Sequence, residues 1–295
     1  MNIISGSASI NLARKLCNLL QATYLRTYIG TFEDGELKVQ LLDNIDKGRV
    51  VIIQSTSTPV NNNLMELLLL TDTAKRAGAD HITAIIPYLG YSRQDRKSVG
   101  HSPVSVQLIA ALLEAAGITH VITVDLHSQQ IEGFFNIPIK NLDPIELFIP
   151  FIKLLGKPTI ISPDLGSITR ASNLSLKLGL DMAIINKKRD NQNKCLMDVI
   201  IGNIEGKDCI LIDDIIDTAE TITKASELLI KKGALTVSAF VTHAVLSSRS
   251  QDLIQHSPIS RIYITDTITQ ENLSSKFQVI SVEMLLKKAL DNYYN

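Results

Sequence analysis

Short apolar runs rich in β-branched residues recur along the chain, and between them lie longer stretches whose apolar positions repeat with the period of an α-helix. Ile82 to Ile86, Val121 to Val124, Thr159 to Ile161, Ala183 to Ile185, Cys209 to Ile212 and Val237 to Phe240 are of the first kind. Leu64 to Ala77, Val104 to Ala116 and Ile222 to Lys231 are of the second. Gly78, Gly117 and Gly233 follow these helical stretches, where a helix commonly ends in a left-handed residue. Strand patterns alternating with helix patterns predict an α/β fold, a mostly parallel sheet flanked by helices.

One order of elements occurs twice. Val50 to Ile53, a polar loop, a helix ending Lys75-Arg76-Ala77-Gly78-Ala79 and the strand Ile82 to Ile86 form the first copy. Cys209 to Ile212, a polar loop, a helix ending Lys231-Lys232-Gly233-Ala234 and Val237 to Phe240 form the second. Any two strand-helix-strand units share some likeness, but the matching Gly-Ala ends favour a duplicated unit. Two similar domains are therefore expected, residues 1–145 and 146–295, meeting near Asn141 to Gly156, where Pro144, Pro150 and Pro158 crowd a less periodic segment. The last helix is expected to pack back on the first domain.

Composition narrows the function. A chain of 295 residues, 45% hydrophobic, can bury two cores of ordinary domain size. Its 29 Lys and Arg against 30 Asp and Glu create no basic field for nucleic acid, which favours small-molecule substrates. Cys17, Cys195 and Cys209 have no C-x-x-C spacing and read as buried thiols of a reducing compartment. No basic leader opens the chain and no apolar run approaches the roughly 18 residues of a membrane span, so a cytoplasmic protein without a membrane partner is expected.

The strongest local signal is Ile210-Leu211-Ile212-Asp213-Asp214-Ile215-Ile216-Asp217-Thr218-Ala219-Glu220-Thr221. A buried strand delivers two carboxylates at its C-terminal edge, where ligands bind in open parallel sheets. Small residues then start a helix whose free N–H groups can hold an anion. The carboxylates suit ribose hydroxyls or a hydrated cation. The same residues also fit an ordinary helix start, with Asp217 as N-cap and Glu220 at the third helical position closing a capping box.

Further polar loops sit beside apolar strands: Phe32-Glu33-Asp34-Gly35-Glu36, Gln54-Ser55-Thr56, Pro59-Val60-Asn61, Tyr91-Ser92-Arg93-Gln94-Asp95-Arg96-Lys97, Asp125-Leu126-His127 and Ser162-Pro163-Asp164. Binding residues concentrate on such loops. Asn186-Lys187-Lys188-Arg189-Asp190-Asn191 reads as a basic loop or solvated hairpin tip after a buried strand. In this order and spacing the set resembles the ribose-phosphate pyrophosphokinase (phosphoribosyl diphosphate synthetase) family, from Ser5-Gly6 to the last helix.

The resemblance implies two phosphoribosyltransferase-like domains and transfer of diphosphate from ATP, with Mg²⁺, to C1 of ribose 5-phosphate. It implies that Phe32, Asp34, Gly35 and Glu36 reach adenine in a neighbouring subunit's site, which makes a homo-oligomer, by family a hexamer, a catalytic requirement. Arg93 and Gln94 would hold the nucleotide on the subunit's own side. His127 and Asp164 would contact magnesium, Asp164 being the better ligand for a hard cation on chemical grounds. Lys187 would be catalytic and Arg189 would bind phosphate. Asp213 and Asp217 would take the ribose, and Asp217, Thr218, Ala219, Glu220 and Thr221 its 5-phosphate, with the substrates aligned across the domain crevice.

The match is incomplete. The family usually carries Gly at the positions of Glu220 and Ser167, Lys at that of Gln107, and further basic residues in the segment Ser98-Val99-Gly100-His101-Ser102. The C-terminal extension that helps form an allosteric phosphate or ADP site in many relatives has no counterpart before Asn295. Two competitors follow: a non-catalytic paralogue that assembles with an active synthetase, favoured by Glu220, and a phosphoribosyltransferase that consumes the diphosphate. The second leaves the nucleotide-side motifs and the duplication unexplained.

Overall fold

Strands covered by helices on both faces read as unbroken apolar runs, and that is how the sheets of this protein are built. The computed structural model describes residues 1–45, 48–97, 100–189, 195–247 and 249–294, leaving aside the side chains of 187–189 and 195–198. Contacts divide the chain into two units, Met1–Asp143 with Thr267–Thr269 and Ser281–Asn295, and Pro144–Asp266 with Gln270–Ile280.

The first unit runs β1 (Asn2–Ser5), α1 (Ile10–Leu20), β2 (Thr23–Tyr24), β3 (Thr27–Thr31), β4 (Leu37–Leu41), β5 (Gly48–Ile53), α2 (Val60–Arg76), β6 (Ala79–Ile86), α3 (Ser105–Ala116), β7 (His120–Val124) and β8 (Ile139–Leu142). Its main sheet has the order β2-β1-β5-β6-β7-β8. Every pairing in it is parallel. The antiparallel pair β3 and β4 forms a separate two-stranded ribbon. Ile52, Leu67, Ile82, Leu113 and Val121 belong to one buried cluster in this unit. Gly78 and Gly117 take φ of 99° and 117° at the ends of α2 and α3, the conformation their type supplies at least cost.

The second unit continues with α4 (Ile145–Lys153), β9 (Thr159–Ser162), α5 (Ile168–Leu178), β10 (Met182–Arg189), β11 (Cys195–Ile201), β12 (Asp208–Ile216), α6 (Glu220–Lys231), β13 (Thr236–Ala244), α7 (Ser250–His256), β14 (Arg261–Thr265) and β15 (Phe277–Ile280). Its sheet has the order β11-β10-β9-β12-β13-β14-β15. Only the β10–β11 pair is antiparallel. The strand alternation distributes side chains to two cores. Cys209 and Leu211 join Ala225, Leu229 and Val237 on one face. Ile210 and Ile212 join Phe148, Ala171, Leu174 and Phe240 on the other. Each fully buried Leu, Ile or Phe contributes about 1.5–3 kcal/mol relative to exposure, so β12 is held from both sides.

The last helix, α8 (Glu283–Tyr294), belongs to the first unit. Leu286 and Leu290 on it are buried. Tyr294 Oη lies 2.8 Å from Thr83 Oγ1, and the Tyr293 ring stacks on His120 with centroids 3.9 Å apart.

Three local expectations are corrected. The proline-bearing segment around Asn141 to Gly156 is not irregular: it contains α4, with Pro144 as N-cap and Pro150 inside the helix. Burial of Ile145, Phe148 and Ile152 holds that helix despite the backbone donor Pro150 lacks. The basic segment after Ile185 is not a loop up to Arg189, because β10 continues through it and pairs Lys187 with Asp198. The strand of the acidic motif is also longer than its apolar run, reaching Ile216. Among the described residues no helix is long and apolar enough to cross a membrane.

Candidate active site

In the second unit β9 ends at Ser162 and pairs β12 only up to Leu211, whereas β12 and β13 stay paired to Ile216 and Ala244. The flank of β12 beyond Leu211 is thereby open to the loop that follows β9. Asp164 folds that loop: its Oδ1 accepts the N–H groups of Gly166 at 2.9 Å and Ser167 at 3.1 Å, while Ser162 Oγ donates to its carbonyl at 2.7 Å. Asp213 Oδ1 accepts Ser167 Oγ–H at 2.8 Å and the N–H of Asp214 at 3.0 Å. Two carboxylates 49 positions apart are thus tied through one serine.

Asp213 keeps some exposed surface yet is surrounded by protein and by its own kind. Burial first, then the negative charge of Asp214, pushes its carboxyl up to about 8, with Asp164 adding to the rise and the Ser167 hydrogen bond opposing it. Proximity of like charges at a sheet's C-terminal edge is the environment that a hydroxylated ligand or a cation relieves.

The helix that follows starts differently from a capping box. Ala219 is the N-cap of α6, in the left-handed region at φ 66°, and no side chain caps the helix. Its methyl is buried within the core of the unit, which fixes a conformation that costs a non-glycine residue about 1–2 kcal/mol. Thr218, Glu220 and Thr221 are exposed around the helix start. Glu220 therefore stands at the first helical position, not the third, and its Oε2 lies 2.8 Å from Lys224 Nζ one turn on. That cation holds the Glu220 carboxyl below its usual range. The capping-box reading of Asp217 and Glu220 is overturned, because the left-handed Ala219 turns the chain later than the polar pattern implied.

Lys187 and Arg189 lie on β10, which pairs β9 only over Met182 to Ile184. The β10–β11 hairpin therefore projects beyond the end of β9 by up to five residues, roughly 16 Å of strand. The side chains of both residues lie outside those described.

The first unit carries the remaining expected residues. Phe32, Asp34, Gly35 and Glu36 form the tip of the β3–β4 ribbon, closed by Phe32 N–H to Glu36 O at 2.8 Å and Gly35 N–H to Phe32 O at 3.0 Å. Gly35 takes φ 93°, and Phe32 is 51% exposed with Lys38 Nζ 5.6 Å from its ring centre. Arg93 and Gln94 lie exposed after β6, where Gln94 accepts a hydrogen bond from Ser105 Oγ at the start of α3. His127 is exposed after β7, the neighbouring strand, and Leu126 N–H anchors that turn on Asn141 Oδ1 at 3.1 Å.

Gln54 serves a different end from the one its loop suggested. Its side chain donates to Glu66 Oε1 at 2.9 Å and accepts Ala8 N–H at 3.1 Å, while Ser7 N–H and Oγ–H reach the two Glu66 oxygens at 2.6 and 2.7 Å. Asn63 Nδ2 closes on Ser57 O at 2.8 Å. The loop after β5 is thus satisfied internally, whereas its counterpart after β12 is exposed.

A parallel α/β unit whose extended strand offers paired carboxylates before an open helix start suits a ligand that carries both hydroxyls and a phosphate. Residues 1–117 match the N-terminal domain of ribose phosphate pyrophosphokinase, and residues 188–295 match the phosphoribosyl synthetase-associated domain. The chain is 43% identical to the ribose-phosphate pyrophosphokinase of Thermotoga maritima, covering 98% of this chain and 94% of that one. With the enzyme of the same description from Campylobacter jejuni it shares 43% identity over 99% and 96%. The crystal structure of phosphoribosylpyrophosphate synthetase from Mycobacterium smegmatis superposes with a TM-score of 0.93 at 32% identity, covering 99% and 98% of the two chains. The chain belongs to the ribose-phosphate pyrophosphokinase family; it is an α/β transferase of nucleotide biosynthesis.

Proposed function

We propose that this chain performs the ribose-phosphate diphosphokinase reaction with its own residues, and is not a silent paralogue. The C1 hydroxyl oxygen of ribose 5-phosphate attacks the β-phosphorus of ATP. The new bond joins O1 to the β-phosphorus, the bond from that phosphorus to the α,β-bridging oxygen breaks, AMP leaves with that oxygen, and the hydroxyl proton passes to solvent. The products are phosphoribosyl diphosphate and AMP.

The observation that carries this reading is the run from Asp213 to Thr221, a partly buried carboxylate followed by an open helix start. Asp213 and Asp217 take the pentose hydroxyls. The backbone N–H groups from Thr218 to Thr221 face the 5-phosphate, with the helix dipole favouring its charge. Lys187 and Arg189 neutralise charge gathering on the migrating diphosphate, where positioning and cations matter more than covalent help. Arg93 and Gln94 hold the nucleotide on the chain's own side. Phe32, Asp34, Gly35 and Glu36 serve a neighbouring copy, so a homo-oligomer, by family a hexamer, is part of the proposal. So is operation in the cytoplasm without nucleic-acid or membrane partners.

The donor chemistry fits Mg²⁺. Asp164 spends Oδ1 on two backbone donors, which orients its second oxygen. The crowded negative charge around Asp213 favours a hard cation nearby. Asp164 and His127 would hold it, and when bound it supplies charge neutralisation on the phosphate oxygens.

Glu220 was the argument for an inactive paralogue, and its outward pairing with Lys224 removes most of that argument. The test is AMP release from ATP, followed chromatographically with and without ribose 5-phosphate. Equimolar AMP and phosphoribosyl diphosphate, formed only when the sugar phosphate is present, is the expected result. No AMP, or AMP independent of the sugar phosphate, overturns the reading.

A further inference from the structure

Ser167 stands where the resembled family usually carries Gly, and its hydroxyl makes a bond inside the acidic site. It is the N-cap of α5, at φ −90°, yet its side chain makes no cap hydrogen bond to its own helix. The hydroxyl is directed instead across 46 residues of sequence to Asp213 Oδ1, at 2.8 Å. Its backbone N–H reaches Asp164 Oδ1 at 3.1 Å. Ser167 is 7% exposed, so water competes little for either bond. One residue therefore binds both acidic loops, donating through its main chain to one carboxylate and through its side chain to the other.

We propose that Ser167 is a positioning residue for the pentose site: its hydroxyl, together with the Asp214 N–H, fixes Asp213 Oδ1 and so sets how the carboxyl is presented to a ribose hydroxyl. This rests on the assignment of Asp213 to the pentose in the preceding section. A glycine at this position leaves Asp213 Oδ1 held by the Asp214 N–H alone, a looser tether, so part of the binding energy goes into ordering the carboxyl. The serine supplies that order in advance, in a chain whose helix start also carries the extra negative charge of Glu220.

Loss of one ordinary hydrogen bond that orders an acceptor corresponds to about a fivefold change in affinity. In Ser167→Ala the Kd for ribose 5-phosphate, measured by calorimetry on the full chain with Mg²⁺ and no ATP, should rise about fivefold. The KM for ribose 5-phosphate should rise in step while kcat and the KM for ATP stay within about twofold, the signature of lost uniform binding. Ser167→Thr, which keeps the hydroxyl, should restore the unsubstituted values. Ser167→Gly is the second variant should Ala disturb the start of α5, and it should behave as Ala does. Unchanged affinity in Ala and Gly overturns the proposal, as does a Thr variant as impaired as Ala, or a fall in kcat at constant KM. Absence of ribose 5-phosphate binding by the unsubstituted chain overturns the pentose-site assignment itself, and this proposal with it.

Discussion

Glu220 places a carboxylate on the first turn of α6, where the proposed function puts the 5-phosphate, and its direction decides whether it would repel that anion. The ion pair with Lys224 draws it along the helix surface, both side chains being more than half exposed. An exposed pair of this kind changes energies by less than about 1 kcal/mol. Glu220→Gly should accordingly lower the KM for ribose 5-phosphate by about two- to fivefold with the KM for ATP unchanged. Lys224→Ala frees the carboxylate and should raise the same KM two- to threefold at low salt, the difference fading by about 0.5 M salt as screening shortens. Steady-state kinetics at two ionic strengths read both, and a Lys224→Ala effect that salt does not touch would contradict the electrostatic cause. The carboxylates of this site were legible in the sequence because a run of apolar residues ending in two aspartates is unusual. Ser167 was visible only as a departure from the family pattern, because a hydroxyl bond spanning 46 positions leaves no local trace.

At the scale of elements, the sequence bounded three helices and left α1, α4, α5 and α7 without a range, and it found strands by their apolar centres but not their ends. Apolar period and terminal glycines located α2, α3 and α6, whereas β10 and β12 run past their apolar cores into charged residues. A strand continues as long as a partner supplies hydrogen bonds, and the partners β11 and β13 are not written into the segment they extend. The docking of α8 is likewise a tertiary event. Tyr294 Oη contacts Thr83, and the Arg49 guanidinium lies 5.0 Å from the Tyr294 ring centre. Tyr294→Phe should cost about 1 kcal/mol by removing one half-buried hydrogen bond. Tyr294→Ala should cost about 2–4 kcal/mol by also removing the ring. Thermal unfolding monitored calorimetrically should show a Tm drop at least twice as large for Ala as for Phe, and equal drops would mean that the ring contributes little.

For the whole molecule, the ribbon tip sets the expectation. Phe32 stands half exposed on a two-stranded sheet separate from the main one, and the proposed function has it serve a neighbouring copy's site. On that proposal activity should reside in an oligomer. Sedimentation coupled to the AMP assay should find no turnover in the monomer fraction, and Phe32→Ala should raise the KM for ATP about tenfold, the loss of one stacked base contact. An active monomer would contradict the sharing of sites.

By itself the sequence determined that this is an α/β chain with a repeated strand-loop-helix unit, and it marked the loops that carry charge, because apolar periodicity and terminal glycines act within a few residues of themselves. The tertiary structure decided which of those loops are open and which are closed. The polar residues after β5 are consumed by Glu66 and Ser7, while those after β12 stay exposed behind a left-handed Ala219. It also decided that Asp164 and Asp213 meet at Ser167, and that Glu220 leans toward Lys224 instead of closing a cap. These outcomes depend on where β9 stops relative to β12 and on a methyl buried beneath α6, and such long-range packing has no signature in any short stretch of chain.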